Sequence, residues 1–172
     1  MKVRVLIGTC SLVLLAALAV LAAMPAMQAT PDRSADREEI NALMWRYARA
    51  LDGNDPEAYA AVYTRDGQFG TGNGATKGQQ ALKNMIQGLK DGRERRIAAG
   101  ETVAPMYHMT TDSWIEFIDN THARHHSYWL TVFGSAGQGT MPSVAAAGRG
   151  IDDLVKIDGK WLIQTRNVSP QN

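Results

Sequence analysis

Cysteine is nearly absent: the 172-residue chain contains one, Cys10. A domain lacking thiols has no disulfides, no thiolate-bound structural zinc and no thiol nucleophile, so its core alone must hold it. Net charge is nearly absent too. The 18 Lys+Arg residues against 17 Asp+Glu give +1, which offers no general attraction to nucleic acid or to acidic membrane. What is present is 45% hydrophobic residues with 4 Trp, 5 Tyr and 3 Phe, a composition that excludes a wholly disordered chain. The length accommodates one domain.

The only long hydrophobic run is N-terminal. Lys2 and Arg4 precede an apolar stretch from Val5 to Ala23, then Pro25 and the small residues Ala26 and Ala29. That order matches a secretory signal peptide over residues 1–29. The stretch is also long enough to span a bilayer as an uncleaved anchor. Either way the following domain lies outside the cytoplasm: exported (periplasmic or secreted), or membrane-anchored through this segment alone. Removing Lys2 and Arg4, with no acid lost, brings the 18 basic residues to 16 against 17 acidic. The remaining domain, about 140 residues, is of a size that typically buries about 68% of its unfolded surface.

Helical signals come first. Asp36 with Glu39 three residues on has the form of a capping box. Ile40, Leu43, Met44, Tyr47, Ala48 and Leu51 then follow the spacing of one helical face. Gly53-Asn54 ends that helix, and Asp55-Pro56 starts another, with Tyr59, Val62 and Tyr63 on its apolar side. Phe69 begins a short strand, and residues 70–74 are a glycine-rich loop. Thr76 caps a third helix over about 78–90, and residues 91–104, with Arg93, Glu94, Arg95 and Arg96, form an exposed connection.

From Met106 the pattern becomes one of strands. Residues 114–118 alternate in polarity, 119–121 turn, and 123–133 form a second strand. Residues 134–147 form a Gly/Ala/Ser loop, and residues 150–157 and 160–168 flank Asp158-Gly159, a favoured hairpin turn. Helices followed by an antiparallel meander predict an α+β domain.

In this order the chain resembles the SnoaL-like branch of the nuclear transport factor 2-like superfamily. The residues that carry the likeness are Arg46-Tyr47-Ala48 with Leu51-Asp52, Asp55, Tyr63-Thr64-Arg65-Asp66-Gly67, Gly78 and His108. They continue with Gly148-Arg149-Gly150, Asp152-Asp153, Asp158-Gly159-Lys160-Trp161, Arg166 and Val168. The likeness covers 36–168 and implies a cone: a curved antiparallel sheet wrapped over N-terminal helices, enclosing a pocket. The superfamily includes scytalone dehydratase, bile-acid dehydratases, ketosteroid isomerases, polyketide cyclases and many non-catalytic members, so fold does not settle function.

The resemblance implies that Tyr47, Asp52 and His108 are the catalytic residues of a dehydratase- or isomerase-type lyase without a cofactor. Such an enzyme would act on a hydrophobic hydroxylated or carbonyl compound. An aspartate beside a histidine fixes the imidazole tautomer and raises its basicity, which suits proton transfer. A carboxylate at a helix C-terminus, where Asp52 falls, is disfavoured by the helix dipole unless a partner compensates. One departure stands out. Where family dehydratases have a second tyrosine in the first strand, this chain has Phe69, Gly70 and Thr71. His125, Trp129, Phe69 and Tyr63 are candidates for contact with substrate. Of the adjacent His125 and His126 one must face inward, and the resemblance, which implies a small inward-facing residue at Ala123, favours His125. His122 and His126 share a strand face but stand about 13 Å apart, which speaks against a metal site. The alternatives are a non-catalytic module for an apolar ligand and a structural domain, with a homodimer expected in any case.

Overall fold

The computed structural model describes residues 32–169. The expected leader at 1–29 lies outside them. Among the described residues no helix is long and apolar enough to cross a membrane.

Helix α1 (Ser34–Asp52) presents the predicted stripe inward: Ile40, Leu43, Met44, Tyr47 and Leu51 are all buried. Helix α2 (Pro56–Ala61) begins as expected, with the Asp55 side chain accepting from the Ala58 backbone N–H and proline in the first turn. Strand β1 (Tyr63–Phe69), the two-residue β2 (Thr76–Lys77) and helix α3 (Gln79–Ala98) follow. The rest is β3 (Met106–Phe117), β4 (His122–Phe133), β5 (Ser143–Ile157) and β6 (Lys160–Asn167). The six strands form one sheet in the order β2-β1-β6-β5-β4-β3. Every pairing is antiparallel except β1 with β6. The fold is therefore α+β, with register shifts in β3, in the β4–β5 pair and in the β5–β6 pair. Such irregularities bend strands and sharpen twist. Asp158 and Gly159 both have positive φ, 49° and 78°, as the tight β5–β6 turn demands.

Several boundaries differ from the sequence reading, each for a physical reason. Tyr63 does not lie on the second helix. It opens β1, because pairing with Ile163 of β6 gives its backbone a sheet partner and its ring a fully buried site. Phe69 consequently ends that strand rather than beginning one. Thr76 does not cap a helix, since β2 pairs with β1 there and Gly78 (φ 84°) makes the turn into α3. The Arg93–Arg96 cluster is not a connection. These straight-chain residues are good helix formers and carry α3 on to Ala98 despite Gly88 and Gly92. Residues 143–147, expected in a loop, already belong to β5, where Val144, Ala146 and Ala147 pair with β4.

Asp36 and Glu39 also do something other than cap. Helix α1 starts earlier, and Asp36 reaches across to the sheet. It accepts from Lys156 Nζ (2.7 Å), Trp161 Nε1 (2.9 Å) and Arg33 (3.0 Å), while Glu39 accepts from the Trp161 backbone N–H (2.9 Å). The Lys156 and Trp161 hydrogen bonds, helped by Arg33 and opposed by partial burial, lower the Asp36 pKa to about 2. A carboxyl whose folded pKa lies below its unfolded value, near 3.9, stabilises the fold above that value and stops doing so as pH falls through 2. Asp36→Asn should cost roughly 1–3 kcal/mol at pH 7. Its deficit relative to the parent, read from urea unfolding, should shrink between pH 4 and pH 2. An undiminished deficit at pH 2 would show that the carboxylate charge is not what counts.

Candidate functional site

Asp52 is the last residue of α1 and His108 the third of β3. Asp52 Oδ1 accepts from the His108 backbone N–H (2.9 Å) and lies 2.7 Å from His108 Nδ1. Two donors thus compensate a carboxylate that the helix dipole disfavours. Because an ionised carboxylate only accepts, the Nδ1 hydrogen points at Asp52 and leaves Nε2 as the basic nitrogen. Nε2 has no hydrogen-bond partner among the described residues.

His108 opens on a cavity of about 190 Å³. Tyr47, Leu51, Phe69, Trp129 and Arg166 form its principal walls, with Thr110 and Thr131 adding hydroxyls. The Trp129 indole is fixed as one wall. Its N–H donates to the Arg149 and Val168 carbonyls (3.0 and 3.1 Å), and the ring lies where a Cβ on Gly148 would come within 2.7 Å of it. Only glycine fits opposite Trp129 in that register.

A second Asp–imidazole pair is deeper. Asp152, wholly buried, accepts from Arg166 (2.5 Å) and lies 3.1 Å from His125 Nδ1. Burial opposes the Arg166 charge, but the Asp152 carboxylate, with Tyr47 and Tyr63, holds its pKa above the ordinary value. The Arg166 guanidinium stacks 4.1 Å from the centre of the Tyr47 ring. His125 does not line the 190 Å³ cavity. It forms the floor of a neighbouring cleft of about 240 Å³ between α1 and β3, which has His108 and Thr110 in common with the first.

The structure thus brings Tyr47, Asp52 and His108 to one neighbourhood, with Phe69 and Trp129 on the cavity wall and His125 next door. Tyr63 is elsewhere. Its phenol is buried, 3.1 Å from the Tyr59 hydroxyl, and burial pushes the pKa of both phenols far above the ordinary value. His126 faces outward, stacked 4.8 Å from Trp114 and 3.4 Å from Glu116. His122 sits at the exposed turn with Asp119. Among the described residues no group of three or more His, Cys, Asp and Glu could hold a metal. Arg166, Thr110 and Thr131 were not singled out from the sequence as cavity residues. Strand alternation outward from His125 does put Thr131 on its face, but nothing local marks Arg166 as a wall.

Because Asp152 carries the only counter-charge bonded to buried Arg166 among the described residues, Arg166→Leu should destabilise by about 3–5 kcal/mol, leaving a buried carboxylate with only the His125 ring beside it. Adding Asp152→Asn should recover a large part of that loss in chemical denaturation. Strictly additive losses would refute the pairing argument.

A family model described as the SnoaL-like domain matches residues 32–167. Among solved structures the chain is similar to a Nostoc punctiforme protein of unknown function with a cystatin-like fold (25% identity, TM-score 0.62, covering 79% of this chain and 91% of that one). It is similar in fold to a Novosphingobium aromaticivorans protein provisionally named a scytalone dehydratase (24%, 0.60, 77% and 82%). The same holds for a Catenulispora acidiphila protein in complex with S-DNPA (24%, 0.61, 79% and 93%). No protein of curated function matches. The matched model spans nearly every described residue, so the chain belongs to the SnoaL-like domain family.

Proposed function

We propose that the protein performs cofactor-free acid/base chemistry, a dehydration or isomerisation, on a hydrophobic hydroxylated or carbonyl compound held in the cavity of about 190 Å³. The carrying observation is the Asp52–His108 pair, anchored through Nδ1 and opening on an otherwise mostly apolar chamber. That combination of apolar walls and a few directed polar groups is typical of small-molecule sites. In a dehydration, His108 Nε2 takes a proton from the carbon beside a carbonyl. The C–H electron pair becomes the new C=C bond as the β-hydroxyl departs, and the imidazolium returns the proton to it, forming water. Asp52 steadies the imidazolium, and Tyr47 donates a hydrogen bond to the ligand oxygen. Two relatives support the reading at the level of fold: one bears the dehydratase name, and one holds a small molecule.

Acetophenone tests the proton-transfer half-reaction without the natural substrate. In D2O its methyl protons should exchange faster with the protein than in matched buffer, as followed by NMR. His108→Asn should lower the catalysed rate about 100-fold or more while leaving the melting temperature near that of the parent. No acceleration by the parent protein, or unfolding of the variant, would return His108 to a structural role.

The same family reading makes the protein a homodimer. Tyr107, Trp114 and Tyr128 are exposed on the outer sheet face, enough apolar surface to be worth covering. Light scattering should report twice the chain mass, and Tyr128→Lys should halve it. A monomeric parent would remove this part of the proposal.

A further inference from the structure

A ligand oxygen held by Tyr47 alone can pivot about that one hydrogen bond, so a second donor on the wall decides its orientation. Phe69 supplies none on the β1 side. The remaining polar groups on the wall are the Arg166 guanidinium, which is buried and bonded to Asp152, His108 Nε2, and the hydroxyls of Thr110 and Thr131.

Thr131 stands directly across from His108 in the β3–β4 register, and Thr110 is across from Trp129. Directly opposed residues on one sheet face have Cβ atoms about 4.5–5.5 Å apart. A carbonyl or hydroxyl oxygen bonded to the Thr131 hydroxyl therefore places its neighbouring carbon within reach of the imidazole. The Thr131 hydroxyl has no hydrogen-bond partner among the described residues, although the side chain is only partly exposed. Near the end of β4, where strand propensity would be met as well by valine, that hydroxyl is not required by the strand itself.

We infer that Thr131 is a specificity-determining residue: its hydroxyl donates to the oxygen of a hydrophobic ketone or alcohol and sets which carbon faces His108. The inference rests on the acid/base reading only for the orientation of the ligand, and its test is one of binding.

Acetophenone and ethylbenzene have nearly the same shape and differ at the carbonyl. Titrated separately and followed through the Trp129 indole N–H signal, the parent protein should prefer the ketone. Thr131→Val should weaken acetophenone binding by roughly threefold to tenfold, the range of one neutral hydrogen bond. Ethylbenzene binding and the melting temperature should not change, and Thr131→Ser should restore the preference for the ketone. Equal losses for both probes, no loss for either, or a parent that binds the two alike would overturn the assignment. A parent that discriminates the probes through Thr131 yet exchanges no acetophenone protons would leave the assignment standing and end the acid/base reading instead.

Discussion

Helix α1 is tied to the sheet at both ends by carboxylates, and the interior of the domain follows from that constraint. Asp36 takes hold of Lys156 and Trp161 at the β5–β6 hairpin, and Asp52 takes hold of His108 at the start of β3. Sixteen residues of helix separate the two, about 24 Å. Between these tethers the apolar stripe must lie on the sheet, so Tyr47 lands under Arg166 and beside Tyr59. A hydrophobic stripe alone tolerates sliding and small rotations. Two charge-assisted anchors at opposite ends do not, and a cavity of about 190 Å³ survives only if the helix keeps its place.

The two aspartate–histidine pairs beneath the sheet, unlike the exposed Asp119–His122 pair, look alike in composition and differ in electrostatic setting. Asp152 is wholly buried and Arg166 answers its charge, so His125 adds a hydrogen bond to an ion pair already balanced. Among the described residues Asp52 pairs with no Lys or Arg, only with His108, and both remain partly exposed. The His108 ring opens on the cavity, whereas the His125 ring is enclosed and faces an ion pair. The shallower pair is therefore suited to moving a proton and the deeper pair to fixing the register of three strands.

Much of this was legible in the sequence, and the parts that were not share a cause. The α1 stripe, the Asp55-Pro56 start, the Asp158-Gly159 turn and the helices-then-strands order are all local signals, and they appear where expected. Tyr63 misled because its neighbours Tyr59 and Val62 have helical spacing, while its strand partner Ile163 lies a hundred residues away. Asp36 and Glu39 imitate a capping box because local spacing cannot reveal that Trp161 offers better donors. The Arg93–Arg96 cluster reads as a solvated connection or a solvated helix face on charge alone. At the site, the Asp52–His108 meeting could be argued from the resemblance and the dipole anomaly. The Arg166 wall and the Thr131 position depend on sheet register, which no single segment encodes.

The cavity also depends on what β5 leaves out. Residues 144–150 read Val-Ala-Ala-Ala-Gly-Arg-Gly, a run too small to look like a buried strand. Across from Trp129, that smallness is the condition for the indole to lie flat against the sheet and expose one face to the chamber. A β-branched residue at Gly148, which strand propensity would favour, would drive the indole into the space that His108 faces. Local strand propensity has been given up for room, as expected where a fold shapes a hollow rather than a solid core. The proposed role of Thr131 belongs to the same trade: a wall built only for stability could carry valine at that partly buried position.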